Sequence, residues 1–324
     1  MTGIRTDLAV ELKDMYREKY KKELDGVIAE ERTSENIKIT KVTVINEEGA
    51  KAIGKPKGVY ITLDLPELNQ FDGDIMDEAA HQLAESLKEV ITVNKNQTIL
   101  VVGLGNSEVT PDALGPKVVS KLMITRHLTK MMPGSIDESI NSVCSLAPGV
   151  LGTTGIETLE IIKGLVDRIK PQMVICIDAL ASRKMERLNR TIQIGNTGIA
   201  PGAGVGNKRK EINMNSLGVP VIAIGVPTVV DAATIANDTL DLFLKEINKY
   251  TTEESKLYKM LSSVDSRQRE SMIREILNPF VGDLMVTPKD VDSHIEGISK
   301  IISTGLNLCL QPAFNIEDIN KFLN

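Results

Sequence analysis

Apolar residues change their spacing along this chain, and the changes mark out strands and helices. Residues 7–35 are charged and helix-prone, with Tyr16, Tyr20 and Leu24 spaced for one helical face. Ile37-Lys-Ile-Thr-Lys-Val-Thr-Val-Ile45 alternates apolar and polar, as in a half-buried strand. Residues 46–54 read as a turn or short helix, and residues 58–65 as a strand stopped by Pro66. Residues 72–93 place Ile75, Ala79, Leu83, Leu87 and Val90 at helical period.

Beyond this point strand and helix patterns alternate. The run 98–104 is continuously apolar, as expected of a buried parallel strand. Residues 114–130 read as one helix, and 155–169 as another that stops before Pro171. Residues 173–177 form a second buried run, 191–194 a short edge strand, 220–225 a third core strand, and 231–247 a helix. The remainder is helical, at 253–261, 266–277, 289–303 and 316–323. The expected fold is α/β: a three-layer αβα sandwich with a mostly parallel sheet, a β-rich N-terminal addition and a helical C-terminal portion. A single domain over residues 8–324, with its α/β core at 97–250, is the preferred division.

Composition narrows the function classes. With 324 residues, 42% hydrophobic, the chain can bury a large core. A net charge of -6 opposes nonspecific nucleic-acid binding, and scarce aromatics without Trp oppose a base-stacking platform. Cys144, Cys176 and Cys309 are odd in number and widely spaced, which fits a reducing cytoplasm and neither a zinc cluster nor a disulfide framework. No apolar run approaches the roughly 20 residues that span a bilayer, and the N-terminus shows no signal-peptide h-region.

The candidate chemistry lies at two aspartates. Asp112 follows the first buried run in Val109-Thr-Pro-Asp112, and Asp178 closes the second in Met173-Val-Ile-Cys-Ile-Asp178. In open α/β sheets, ligands bind at the carboxyl ends of the strands. Two carboxylates there can share a proton and activate water, because like charges at close range cannot both ionise. Each aspartate also has a plain structural reading as a cap. Gly103-Leu-Gly105-Asn106 is not a dinucleotide fingerprint: position 108 is Glu, and 123–130 holds no acidic residue. The loop Gly198-Ile-Ala-Pro-Gly-Ala-Gly-Val-Gly-Asn-Lys208-Arg209-Lys210 lacks the P-loop order. It reads equally as a peptide-binding loop or a solvated surface loop. No GxSxG or HExxH occurs, and His81, His127 and His294 lie in helix-like segments.

Several segments together resemble the germination protease family of endospore-forming bacteria. They are Arg5-Thr-Asp-Leu-Ala-Val-Glu11, Asn46-Glu-Glu-Gly-Ala-Lys51, Val101-Val-Gly-Leu-Gly-Asn106, Val109-Thr-Pro-Asp-Ala-Leu-Gly-Pro116, Ala147-Pro-Gly-Val-Leu-Gly152, Ile177-Asp-Ala-Leu-Ala-Ser182 and Pro201-Gly-Ala-Gly-Val-Gly-Asn-Lys-Arg209. The resemblance implies an endopeptidase that degrades small acid-soluble spore proteins in the spore core, assembled as a homotetramer, with neither nucleic acid nor membrane as direct partner. It also implies a zymogen that removes its own propeptide. Family substrates resemble Thr-Glu/Phe-Ala-Ser-Glu, and Thr6-Asp7-Leu8-Ala9-Val10-Glu11 is similar in type, so a cut between Asp7 and Leu8 releasing residues 1–7 is expected.

The family is similar in fold to the maturation endopeptidases of nickel hydrogenases, where two carboxylates and a His bind metal. No His lies near the Gly-rich loop or in 219–231 here, which favours an aspartate-only mechanism without a cofactor. Water held between Asp112 and Asp178 would then be the nucleophile. Gly105 and Asn106 are the expected orienting or oxyanion groups, and Arg183, Lys208 and Arg209 the expected cationic pocket for the acidic residue before the cut. Two rivals stay open: a metal-assisted peptidase using the same aspartates, and a binding module using the Gly-rich loop.

Overall fold

The computed structural model describes residues 6–20, 24–66, 73–92, 97–132, 137, 139–206, 209–250 and 266–323. Its strands are β1 (Val27–Ser34), β2 (Ile37–Val44), β3 (Gly58–Asp64), β4 (Thr98–Gly103), β5 (Ser142–Leu146), β6 (Met173–Ser182), β7 (Thr191–Gly195), β8 (Val221–Asp231) and β9 (Met285–Val286). They form one sheet in the order β1-β2-β3-β7-β8-β6-β4-β5, with β9 pairing β8. The described helices are α1 (Ala9–Tyr20), α2 (Glu47–Ile53), α3 (Gly73–Lys88), α4 (Leu114–Val119), α5 (Arg126–Met131), α6 (Leu151–Thr154), α7 (Thr158–Ile169), α8 (Met214–Leu217), α9 (Ala232–Tyr250), α10 (Ser266–Val281), α11 (Val291–Leu310) and α12 (Ile316–Leu323).

Parallel pairing belongs to the core strands β8, β6, β4 and β5. The N-terminal addition continues the same sheet with antiparallel pairs through β1, β2, β3 and β7. Strand alternation sends side chains to two helical layers. On one face Ile99, Val101, Ile175, Ile177, Ile192 and Ile194 join a core shared with α3, α4 and α11. On the other face Leu100, Val102, Val174 and Cys176 pack against Ile162 and Val166 of α7. That second face also carries α1 and α2, through Ala9 and Ile53 packed on Val42, Val44 and Tyr60. Helices α3 and α11 cross closely, since a Cβ on Gly305 would lie 2.9 Å from the Ala80 carbonyl oxygen. Each fully buried Leu or Ile at such a crossing contributes roughly 1.5–3 kcal/mol.

Several boundaries differ from the sequence expectation. Residues 7–35 are not one helix: α1 ends at Tyr20, and 27–34 form the edge strand β1, whose middle six residues are all exposed. Residues 114–130 divide into α4 and α5, because Leu122 and Met123 turn inward and Met123 N–H donates to Asn307 Oδ1 at 2.9 Å. Strand β7 is interior, not an edge, since β3 and β8 flank it. Strand β6 runs five residues past Ile177, and β8 continues to Asp231. The expected helix at 253–261 lies outside the described residues.

Candidate active site

The site forms where β4 stops and its neighbours continue. The last β4–β6 pair is Gly103 with Ile177, so Asp178 stands one residue beyond the end of β4, inside β6. The expectation that Asp178 ends its strand is corrected: β6 is carried on by pairing with β8 alone. The β6–β8 register shifts between Leu180 and Ala181, leaving Thr228 bulged beside the site. Bulges re-aim side chains next to functional sites.

The turn after β4 is pressed against the segment that carries Asp112. A Cβ on Gly103 would lie 2.2 Å from the Gly115 carbonyl oxygen. Gly105 has φ +109°, and a Cβ there would lie 2.0 Å from the Asp112 carbonyl oxygen. Only glycine tolerates both conditions. The approach lets Asn106 N–H donate to Asp112 Oδ2 at 2.8 Å. The Asn106 side chain accepts from Glu108 N–H at 3.0 Å, so Asn106 orients Asp112 through its backbone. Asp112 does not cap α4, whose N-cap is Ala113, without a side-chain hydrogen bond.

The two aspartates hold protons unequally. Burial pushes the Asp112 carboxyl up, and the Asn106 N–H partly offsets this. Asp178 is held well above the carboxylate range, first by burial, then by the charges of Asp112 and Asp7, against one hydrogen bond from Ala179 N–H. Both line a cavity of about 620 Å³, together with Asp7, Gly105, Asn106 and Arg209. Two carboxyls of raised proton affinity lining one cavity are groups that can carry general acid–base hydrolysis.

The N-terminal segment reaches this cavity as an irregular stretch that leads into α1. Asp7 N–H donates to the Ala181 carbonyl at 3.0 Å, and Ala181 N–H donates to Asp7 Oδ2 at 3.0 Å. Asp7 packs so closely on Gly204 that a Cβ there would lie 2.0 Å from its Oδ2. Gln193 grips the backbone on both sides of Leu8: its Nε2 donates to the Asp7 carbonyl at 3.1 Å, and its Oε1 accepts from Ala9 N–H at 2.6 Å. Leu8 and Val10 pack on Leu180. Glu11, 1% exposed, accepts from Arg183 N–H at 2.8 Å and Lys184 N–H at 3.0 Å, with Arg187 Nε 3.6 Å away. The Thr6 hydroxyl also donates to Glu11.

The expected residues therefore divide. Asp112, Asp178, Gly105, Asn106, Arg209 and Asp7 share one cavity, with Leu8 buried beside it. Arg183 does not line it, because its guanidinium pairs with Asp238 at 2.9 Å. Lys208 lies outside the described residues. Sequence reasoning missed Gln193, although a lone amide among the apolar residues of β7 is a readable signal. It also missed Lys55, which follows the α2 cap Gly54 and lines a second cavity of about 300 Å³ with Asp7, Gln193 and Arg209. Burial drives the Lys55 ammonium toward its neutral form, and the Asp7 charge opposes this. Burial raises the Asp7 carboxyl, and Lys55 then the Ala181 N–H pull it back.

Comparison with known proteins gives the family. The family model for germination protease matches residues 5–267 and 251–323. A germination protease of Clostridium perfringens is 60% identical over 325 residues, covering 100% of both chains. One of Clostridium tetani is 58% identical, covering 99% of this chain and 100% of its own. One of Bacillus mycoides is 42% identical, covering 99% of this chain and 97% of its own. The chain belongs to the germination protease family of peptidases.

Proposed function

We propose that this peptidase is made as a zymogen, cuts itself between Asp7 and Leu8, and then degrades small acid-soluble spore proteins. The observation that carries the reading is the seating of the Asp7 backbone on Ala181, in the cavity that Asp112 and Asp178 line. Hydrogen bonds to the backbone on both sides of Leu8 present the Asp7–Leu8 bond in a fixed position.

Water between the two aspartates is the nucleophile. The ionised carboxylate takes a proton from water as its oxygen bonds to the Asp7 carbonyl carbon. The bond to Leu8 nitrogen then breaks, and the protonated carboxyl supplies the proton that nitrogen needs. Asp178, the more deeply buried of the pair, suits the protonated role. Asp112, which accepts the Asn106 N–H, suits the base. Lys55 and Arg209, which line the cavity beside Asp7, favour an acidic residue before the cut. While residues 6 and 7 occupy the cleft, an added substrate has no access, which accounts for a silent zymogen. A homotetramer belongs to the same reading, and sedimentation equilibrium measures it.

The test is digestion of a purified small acid-soluble spore protein by the processed chain, with cut sites located by mass spectrometry. Cuts after acidic residues in segments like Thr6–Glu11 support the reading. An intact substrate, or cuts without acidic preference, contradicts it.

A further inference from the structure

The carbonyl that self-cleavage would attack already has a hydrogen-bond donor, and it comes from a strand outside the parallel core. We propose that the Gln193 side-chain amide is the oxyanion donor of this peptidase, holding the scissile carbonyl oxygen and setting which bond is cut. The inference rests on the self-cleavage reading above and assigns a catalytic contact to a residue that neither aspartate requires.

The sheet register puts Gln193 in place. Gln193 of β7 pairs with Gly225 of β8, and Gly225 pairs with Asp178 of β6. Asp178, Gly225 and Gln193 thus form one row across three strands. Residues in one row project to the same face, and two strand spacings separate the end positions by about 10 Å. Ile192 and Ile194 turn to the opposite face, into the core with α3 and α11. The Gln193 side chain therefore stands on the face where Asp178 stands, with the N-terminal segment between the two.

The amide is held in one orientation by that segment. Ala9 N–H can only donate, so the atom that meets it at 2.6 Å must be the amide oxygen. The nitrogen then faces the Asp7 carbonyl at 3.1 Å and donates to it. One side chain thereby reads the carbonyl before the cut and the N–H two residues beyond it. Only a backbone in this register satisfies both ends of the amide. Asp7 lines two cavities, one with Gln193 and the other with Asp112 and Asp178. Donor and dyad therefore flank the same residue.

Chemically, attack of water converts the carbonyl oxygen into an oxyanion. A fixed amide donor stabilises that charge as it forms, and it needs no proton transfer to do so. The protonated carboxyl is then free to protonate the departing Leu8 nitrogen. Gly105 and Asn106 are the candidates for this task by position along the chain, but Asn106 N–H already donates to Asp112.

The experiment follows the appearance of a Leu8 terminus in purified full-length chain, for the parent, Gln193→Ala and Gln193→Glu, across pH 4 to 8. Removing an oxyanion donor lowers the rate by about 10²- to 10³-fold, so Gln193→Ala should process that much more slowly while keeping its cooperative thermal transition. Gln193→Glu is nearly isosteric and separates donation from packing. Protonated, it donates to the carbonyl; ionised, it repels the oxyanion. Its rate should approach the parent's at low pH and fall below that of Gln193→Ala as pH rises. Processing of Gln193→Ala within threefold of the parent, or identical pH profiles for Ala and Glu, would overturn the assignment. Should the parent itself not process, self-cleavage is wrong, and a peptide of sequence Thr6–Glu11 added in trans to chain made without residues 1–7, so that Asp7 no longer fills the cleft, decides about Gln193. Slower cleavage by Gln193→Ala supports it, and equal cleavage rejects it.

Discussion

The two halves of the sheet bring different things to the same cleft. The parallel half, β4 with β6 and β8, brings one buried and one half-buried carboxylate and the tight glycine turn that aims the latter. The antiparallel half, with β7 and the helices packed on it, brings hydrogen-bonding groups that grip a peptide backbone: Gln193 on the Asp7 carbonyl and Ala9 N–H, and Lys55 beside the Asp7 side chain. One half is organised around a proton, the other around a strand of peptide. The comparison separates residues whose loss should stop chemistry from residues whose loss should release or misplace the segment.

The largest effect should come from the parallel half. In Gly105→Ala, the new Cβ would meet the Asp112 carbonyl oxygen at 2.0 Å from a backbone with φ +109°. The turn must open, costing about 3 kcal/mol or more. Urea titration should show the lost stability, and peptidase activity should disappear with the displaced Asp112.

Next is the anchor beyond the cut. Glu11→Ala leaves the N–H groups of Arg183 and Lys184 without their acceptor and removes the more distant of Arg187's two carboxylate partners, Asp64 remaining. Denaturant unfolding should report a loss of about 2–3 kcal/mol. Glu11→Gln, which keeps an acceptor, should lose less. Equal losses for Ala and Gln would show that the socket reads charge and not shape.

Smaller again is the effect of Lys55, which lines the cavity beside Asp7. Lys55→Met should slow cleavage after an acidic residue by about tenfold and leave cleavage after Gln little changed. Competition between two peptides differing only at that position measures the ratio. A ratio unmoved by Lys55→Met would shift the selectivity to Arg209.

The smallest effect is one of pH. Burial and two neighbouring carboxylates hold Asp178 above its ordinary range, so the folded chain keeps a proton that the unfolded chain gives up. Stability from this group is fully present below the ordinary carboxylate pKa of 3.8 and is lost as pH rises through the raised value. Asp178→Asn removes that loss. Its Tm should exceed the parent's by about 2–4 °C at neutral pH, with the difference closing toward about pH 4. A gap that widens on acidification would contradict the assignment of Asp178 as the raised group.

The same division explains what can be read from sequence. The parallel half is legible because buried strands are continuous apolar runs and their ends carry chemistry: Asp178, Gly105 and Asn106 directly follow such runs, and Asp112 stands in the loop after the first of them. The antiparallel half is not, because its contribution depends on neighbours distant in sequence. Gln193 matters only once β7 is seated between β3 and β8, and Lys55 only once α2 packs beside β3 and the chain from Asp7 passes over it. Strand β1 reads as helix because an edge strand with an exposed, charged middle carries no alternation. The apolar run puts Asp178 at the end of its strand, whereas β6 continues after β4 has stopped.

The central claim is that the two halves meet at the Asp7–Leu8 bond and that two aspartates cut it. Its most direct test is N-terminal sequencing of purified full-length chain held at mildly acidic pH, beside Asp112→Asn and Asp178→Asn. The account predicts a new terminus at Leu8 in the parent, with rates about 10²- to 10⁴-fold lower in both variants. A Leu8 terminus that forms at the parent rate in either variant, or a parent that is cut elsewhere, would contradict it.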